Sequence, residues 1–438
     1  METDKTTLAD LSIFNAEEDF SVFHKLNLTR TSNGRECLRE NFNRPLTNID
    51  AIKGVQQTLQ LILSRRLQWP LQITNGTLLV VEKYYEATID EIPRQPGGFQ
   101  AFNYKVFHGP DYSLVKYSVT HCFDFIKGMQ LMVEHFLDEN TPAPLKAILL
   151  SVRESLSKPH FEIVRQQKNA AALTPPQMLR LAHYLRYHYK QSMHELLAQY
   201  AQLDAWYGMA MAVKQFGLVF PEWVDGNQPV LNAKGLYHVL LEQPVAYDVY
   251  LHPQQNFLFL TGANMAGKST FIKAIGTAVF LAHMGMGVPA AEMQLTYFDG
   301  LLSNINVMDN IIRGESYFYN EVQRIKATVT RINDGRKWLI LIDELFKGTN
   351  VQDAMKCSTA VIRGLLKIKN SLFILSTHLY EIGEELKQYP NISFKFFETA
   401  VKEEQLHFSY HLQEGISNDR LGFLILKREG VVELLEKL

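Results

Sequence analysis

Only three cysteines occur in 438 residues, at positions 37, 122 and 357, with no C-x-x-C or Cys/His ligand spacing around them. That excludes a disulfide framework and a structural zinc site, and fits a reducing compartment. An excess of charge of either sign is lacking too. The 44 Lys and Arg against 46 Asp and Glu leave a formal net charge of −2, so bulk attraction to a polyanion is excluded and any phosphate contact must come from local basic patches. Long apolar runs are nearly absent. The one lengthy stretch, 274–291, contains His283, three glycines and Pro289, and reads as a core helix followed by a strand rather than a membrane span. The first residues, Met-Glu-Thr-Asp-Lys, lack the basic flank and apolar core of a signal peptide, so a cytoplasmic location without membrane contact is the expectation. The length implies about two or three domains.

What is present changes character midway. From 10 to 66 the apolar spacing predicts helices, with Leu26, Leu38 and Phe42 ahead of a Pro45-Leu46-Thr47 break and a second helix from Asn48. Arg30, Arg35, Arg39 and Arg44 punctuate this stretch, as a solvated face or as a phosphate-contacting one. Pro96-Gly97-Gly98 and Gly109-Pro110 mark loops, and periodicity returns at 123–137 and 145–156. Pro175-Pro176 open a long helical run from Gln177 to Phe216, with a break expected near Gly208. Its stripe of Leu181, Leu185, Met193, Leu196, Leu203 and Trp206 is that of a core-facing helix. His183, His188 and His194 share this run without a carboxylate cluster, and read as packed or surface imidazoles rather than metal ligands. After the Pro- and Gly-punctuated 221–235 segment, short apolar strands alternate with helices, the signature of an α/β sheet.

Residues 262–270, Gly-Ala-Asn-Met-Ala-Gly-Lys-Ser-Thr, directly follow the apolar run that ends at Thr261. The pattern is that of a phosphate-binding loop: Gly262 and Gly267 let successive N–H groups, with Asn264 between them, converge on an anion. Lys268 supplies a point charge for β- and γ-phosphates, and Ser269 a Mg²⁺ ligand. A helix from Ser269 to about His283 aims its N-terminal dipole at the same place. Downstream, Trp338-Leu-Ile-Leu-Ile-Asp343-Glu344 is a buried strand ending in two acids; Asp343 is placed to hold the metal shell and Glu344 to orient or deprotonate a water. Leu372-Phe-Ile-Leu-Ser-Thr377-His378 ends in a polar pair whose imidazole can reach a γ-phosphate or that water. Between these motifs, Gly314-Glu-Ser316 opens a helix and makes a second anion-binding terminus. Such an element closes over the nucleotide of a partner subunit, so ATP binding and dimerisation become one event.

This order of motifs resembles the ABC-type ATPases, and its wording resembles the MutS family. Residues 262–270 are similar to that family's GPNMGGKST, 314–321 to G-x-S-x-F-x-x-E, 343–350 to DEIxRGTS and 376–378 to ATH. Gly287-Val-Pro-Ala290 resembles its YVPA strand, and 412–422 its VxxGxxxxSYG segment. Tyr237-His238 with Pro244-Val-Ala-Tyr-Asp248 resembles the HP…PVxND entry to the ATPase domain, Leu203-Asp204 the lever ELD, and 26–46 the N-x-T-x-T-x-x-G…RPL of the helical core. Ala266 and Asn350 depart from the usual residues. The family's F-x-E mismatch wedge has no counterpart ahead of the helical core, since the two Phe-x-Glu triplets, at 220–222 and 396–398, fall at the end of the helical half and in the second half. The expectation is therefore a short form without the mismatch-recognition domain, and with no Smr domain beyond Leu438.

The resemblance implies an α + α/β protein: an N-terminal all-helical core and lever domain over 1–225, with a loop-rich insertion at about 67–120, and a C-terminal ABC-type P-loop ATPase domain over 226–438. It implies an Mg²⁺-dependent ATPase that binds duplex, mismatched or branched DNA as a homodimer, in mismatch repair or recombination, with a downstream repair protein as a further partner. Lys268 and Thr270 then meet the phosphates, Ser269 and Asp343 the Mg²⁺, Glu344 the water, His378 the γ-phosphate and Ser316 the partner's nucleotide. Val245 and Tyr410 pack on adenine by their place in the family pattern. Too few residues separate Thr270 from Trp338 for the coiled coil of a chromosome tether, and a helical half argues against a transporter ATPase. A nucleotide-gated dimeric scaffold for a protein partner, without mismatch recognition, is the alternative.

Overall fold

A computed structural model describes residues 1–263, 265–306, 317–402, 405–417, 426–427 and 430–436. Helices α1 (Lys5–Asp10), α2 (Val22–Leu26), α3 (Ser32–Asn43), α4 (Ile49–Ser64), α5 (Asn75–Glu86), α6 (Gly98–Phe107), α7 (Gly109–Phe136), α8 (Ala143–Ser155), α9 (Glu162–Gln166), α10 (Pro175–His188) and α11 (Lys190–Gln215) precede the strands. Then come β1 (Glu222–Trp223), β2 (Leu231–Leu236), β3 (Tyr247–Leu251), β4 (Phe257–Thr261), α12 (Lys268–His283), β5 (Glu292–Leu295), β6 (Gly300–Asn304), α13 (Tyr317–Ile332), β7 (Trp338–Asp343), α14 (Val351–Leu365), β8 (Ser371–Ser376), α15 (Glu381–Leu386), β9 (Ile392–Lys402), β10 (Gln405–Glu414) and α16 (Val431–Glu436). The chain thus mixes helix and sheet. It divides into two compact units, one of residues 26–44 and 53–215, the other of 1–25, 45–52 and 216–438.

The first unit is built of helices. Buried Asp204 on α11 accepts hydrogen bonds from the backbone N–H groups of Arg30 (3.0 Å) and Thr31 (2.9 Å) and from Thr31 Oγ1 (2.6 Å). Thr31 is in turn the N-cap of α3 and accepts from the Gly34 N–H, so one carboxylate fixes the cap that starts the helix. A Cβ on Gly34 would stand 2.1 Å from Asp204 Oδ2, which gives this glycine and this acid a shared packing reason. Gly208 does not break the long helical run. It lies inside α11, where a Cβ would come within 2.7 Å of the Thr29 backbone; the break falls at Tyr189, between α10 and α11. The 67–120 stretch is also more helical than its turn residues suggest. Pro110 occupies the first turn of α7, where a missing N–H costs nothing, and α5 and α6 add two further helices to the stretch.

In the second unit a six-stranded sheet has the order β10-β9-β4-β8-β7-β6, with β9, β4, β8, β7 and β6 parallel and β10 antiparallel. β4, β7 and β8 are buried along their whole length, as expected of parallel strands covered on both faces. Phe257, Phe259, Trp338, Ile340, Phe373 and Leu375 belong to one apolar core. A second sheet runs β1-β5-β2-β3. The N-terminal segment belongs to this unit because it extends the sheet: Glu2 bridges Gly300, the first residue of β6, and Asp10, 2% exposed, accepts from Ser303 Oγ (2.6 Å), the N–H groups of Ile305 (3.0 Å) and Asn306 (3.1 Å), and Arg324 on α13 (3.1 Å). Among the described residues no helix is long and apolar enough to cross a membrane.

Candidate functional site

Parallel sheets present ligand sites beyond the carboxyl ends of their strands, and here β4, β8 and β7 lie side by side with Leu260 paired to Ser376 and Ser376 to Asp343. That register sets the loop after β4 next to the acids that end β7. The loop turns on three left-handed residues, Gly262 (φ 139°), Met265 (φ 67°) and Gly267 (φ 105°), the last being the N-cap of α12. Gly262 is also a packing requirement, since a Cβ there would lie 3.2 Å from the Phe397 carbonyl oxygen.

Lys268 is buried at the start of α12, and its ammonium donates to the carbonyls of Gly262 (2.7 Å) and Ala263 (2.9 Å). Burial pulls its pKa below the usual lysine value, against the opposing pull of Glu344 and Asp343. Asp343 accepts from the hydroxyls of both Ser269 and Ser376. A carboxylate and a hydroxyl in direct contact are hard oxygen donors, the set a Mg²⁺ ion prefers. Glu344, with a side chain 17% exposed, meets His378 Nε2 through one oxygen and Lys347 Nζ at 3.2 Å through the other. Burial alone would raise its pKa, but the His378 hydrogen bond and the charges of His378 and Lys347 outweigh it and hold the carboxyl below its ordinary range.

These residues open on a cavity of about 460 Å³ lined by Gly267, Lys268, Ser269, Thr270, Glu344, Val245 and Tyr410. Tyr410 reaches it because a register shift in the β9–β10 pairing puts its backbone at φ 54°, with the ring's Cδ1 3.3 Å from where a Cβ on Gly267 would be. Leu241, Gln243 and Tyr247 also line the cavity. The chain bends at Glu242 and Gln243 before β3 begins at Tyr247, so no regular spacing in the sequence announces them. Asn264 and Ser316 lie outside the described residues. Among those residues, His183, His188 and His194 form no trio at ligand spacing. Asp90, His108 and Asp111 do, within 4.8 Å, but His108 Nδ1 already pairs with Asp90 (2.9 Å) and Asp111 accepts the Asp90 N–H (3.1 Å).

A parallel α/β sheet whose carboxyl edge joins a glycine-rich lysine loop to an acidic strand end defines the class of site. Residues 258–435 match the family model MutS domain V. The chain is 25% identical to the DNA mismatch repair protein MutS of Petrotoga mobilis over 253 residues, 57% of this chain and 31% of that protein. It is 25% identical to the protein of the same name from Streptococcus agalactiae over 317 residues, 71% of this chain and 36% of that one. Human MutS protein homolog 4 is 30% identical over 245 residues, 53% of this chain and 25% of that one. Residues 258–435 thus carry the MutS domain V pattern and the chain is similar to MutS proteins, and its matches span between a quarter and just over a third of the length of these relatives.

Proposed function

We propose that the chain is a MutS-like ATPase of the ABC type whose 262–270 loop holds Mg²⁺-ATP, and which works on DNA in mismatch repair or recombination as a dimer. The observation that carries this reading is the meeting of Lys268, Ser269, Asp343 and Glu344 at one sheet edge, from the ends of two strands far apart in sequence. The Lys268 ammonium exchanges loop carbonyls for β- and γ-phosphate oxygens, and the Thr270 hydroxyl and the α12 dipole add to it. Ser269 and Asp343 are the residues that would hold Mg²⁺, which, when bound, neutralises phosphate charge. Glu344, ionised at neutral pH and steadied by Lys347 and His378, orients the attacking water and accepts its proton as the water oxygen bonds to the γ-phosphorus and the bond to ADP breaks. Val245 and Tyr410 flank the space for the base. Ser316 is assigned to the nucleotide of a second copy, and the DNA role rests on what the matched relatives are named for.

Equilibrium binding of a fluorescent ATP analogue tests the nucleotide half. Lys268→Ala weakens it by about 10- to 100-fold, as expected for loss of a charge-assisted contact; unchanged affinity would remove the loop from the site. Binding to matched, mismatched and branched duplexes at two salt concentrations, with and without ATP, tests the DNA half. A phosphate-contacting protein loses affinity steeply with salt. A flat response would favour the scaffold reading instead.

A further inference from the structure

Glu344 projects from an unusual piece of backbone. It has φ 68°, and Phe346 two residues later has φ 60°; both are in the left-handed region, which non-glycine residues occupy only where surrounding structure imposes it. At one end the constraint is the strand register, since the Glu344 N–H donates to the Ser376 carbonyl (2.9 Å). At the other end it is a side chain from a different element. Glu321 on α13, 5% exposed, accepts the N–H of Lys347 through Oε1 (3.0 Å) and the N–H of Gly348 through Oε2 (3.2 Å). Phe318, one turn earlier on the same helix, sets its ring 5.7 Å from that of Phe346.

We infer that Glu321 is a positioning residue for hydrolysis: its carboxylate grips the 347–348 backbone and so fixes where Glu344 points. The inference rests on the reading of Glu344 given above. An ionised carboxylate accepting two peptide N–H groups makes stronger bonds than neutral acceptors do, and water hardly competes at this depth. Lys347 carries the effect to the site. Its main-chain N–H is held by Glu321 while its ammonium pairs with the Glu344 carboxylate at 3.2 Å, so a shift of the loop moves both the acid and its cationic neighbour. Among the described residues, the lining of the cavity includes Glu344 but not Glu321.

Glu321→Gln keeps the shape, leaves one acceptor for two N–H groups and turns an NH₂ toward a donor. Expected is a kcat about 10- to 100-fold lower, the scale of a small misplacement of a reacting group, with ATP affinity within about twofold of the wild type. Glu321→Asp, which retains both acceptors at shorter reach, recovers part of the rate. In a Glu344→Gln background the same substitution produces no further loss, because its effect runs through Glu344. Multiplying losses in the double variant, an unchanged kcat in the single one, or an effect on ATP affinity alone would overturn the proposal. So would both variants being unfolded at the assay temperature by circular dichroism, which would make Glu321 a determinant of the fold only. If the wild type hydrolyses no ATP, or Glu344→Gln hydrolyses it at the wild-type rate, the fault lies with the functional reading instead.

Discussion

Replacing Glu344 by glutamine lowers ATP turnover by about 10²- to 10⁴-fold, the range general-base contributions span, while ATP still binds. The amide keeps the volume and one acceptor oxygen but takes no proton from water. It also removes the negative charge that now faces Lys347 and His378, leaving both free to meet phosphate oxygens. Affinity for ATP therefore holds or rises as kcat collapses, and the nucleotide-bound state accumulates. The carboxyl is held below its usual range by those same neighbours despite burial, so its ionised form is complete well before neutrality. On this group's account kcat stays level from pH 8 down to about pH 6, since even an unshifted Glu titrates near 4.3. Steady-state kinetics across that range check both points. A turnover unaffected by Glu344→Gln, or an acid limb centred near pH 7, would contradict the role.

Asp10→Ala destabilises the chain by about 3–5 kcal/mol, the cost of removing one member of a buried ion pair. The Arg324 guanidinium would lose its carboxylate while still donating to Asn304, Ser303 and Asn306. The Ile305 and Asn306 N–H groups and the Ser303 hydroxyl would lose their acceptor as well. Because the damage falls at the end of β6 and on α13, the α/β unit loses stability as a whole. Urea denaturation followed by circular dichroism measures it, and Asp10→Asn, which keeps an acceptor, gives a smaller loss. A change below about 1 kcal/mol would mean that the network contributes no more than exposed pairs do.

How much of this was readable from the chain depends on sequence distance. The strand and loop of 257–270, the acid-ended strand 338–344 and the strand before His378 are each contiguous, and the apolar run, glycines and charged residues of each announce its place on a parallel sheet. Asp204 and Gly34 appear in the sequence as two separate family motifs; their contact is a single fact of packing. What could not be read lies in contacts between distant segments. Gly208 looks like a helix breaker until the Thr29 backbone is seen against it, and Gly109-Pro110 like a loop until Pro110 is seen in the first turn of α7. Nothing in the pattern of residues 1–25 says that Asp10 would join β6 and α13. Leu241, Gln243 and Tyr247 gain a role only once the segment leading into β3 is laid beside the loop, and Glu321 only once its carboxylate meets the loop after Glu344.

The proposed function requires a triphosphate to be cleaved at the edge of the six-stranded sheet. Its most direct test is phosphate release from Mg²⁺-ATP by the purified wild-type chain, run beside Lys268→Ala at matched protein concentration. Release by the wild type that rises more than linearly with protein concentration, and that falls to background in the variant, is the predicted result. Well-folded wild type that releases no phosphate at any concentration, with or without DNA, or a variant as active as the wild type, would contradict it.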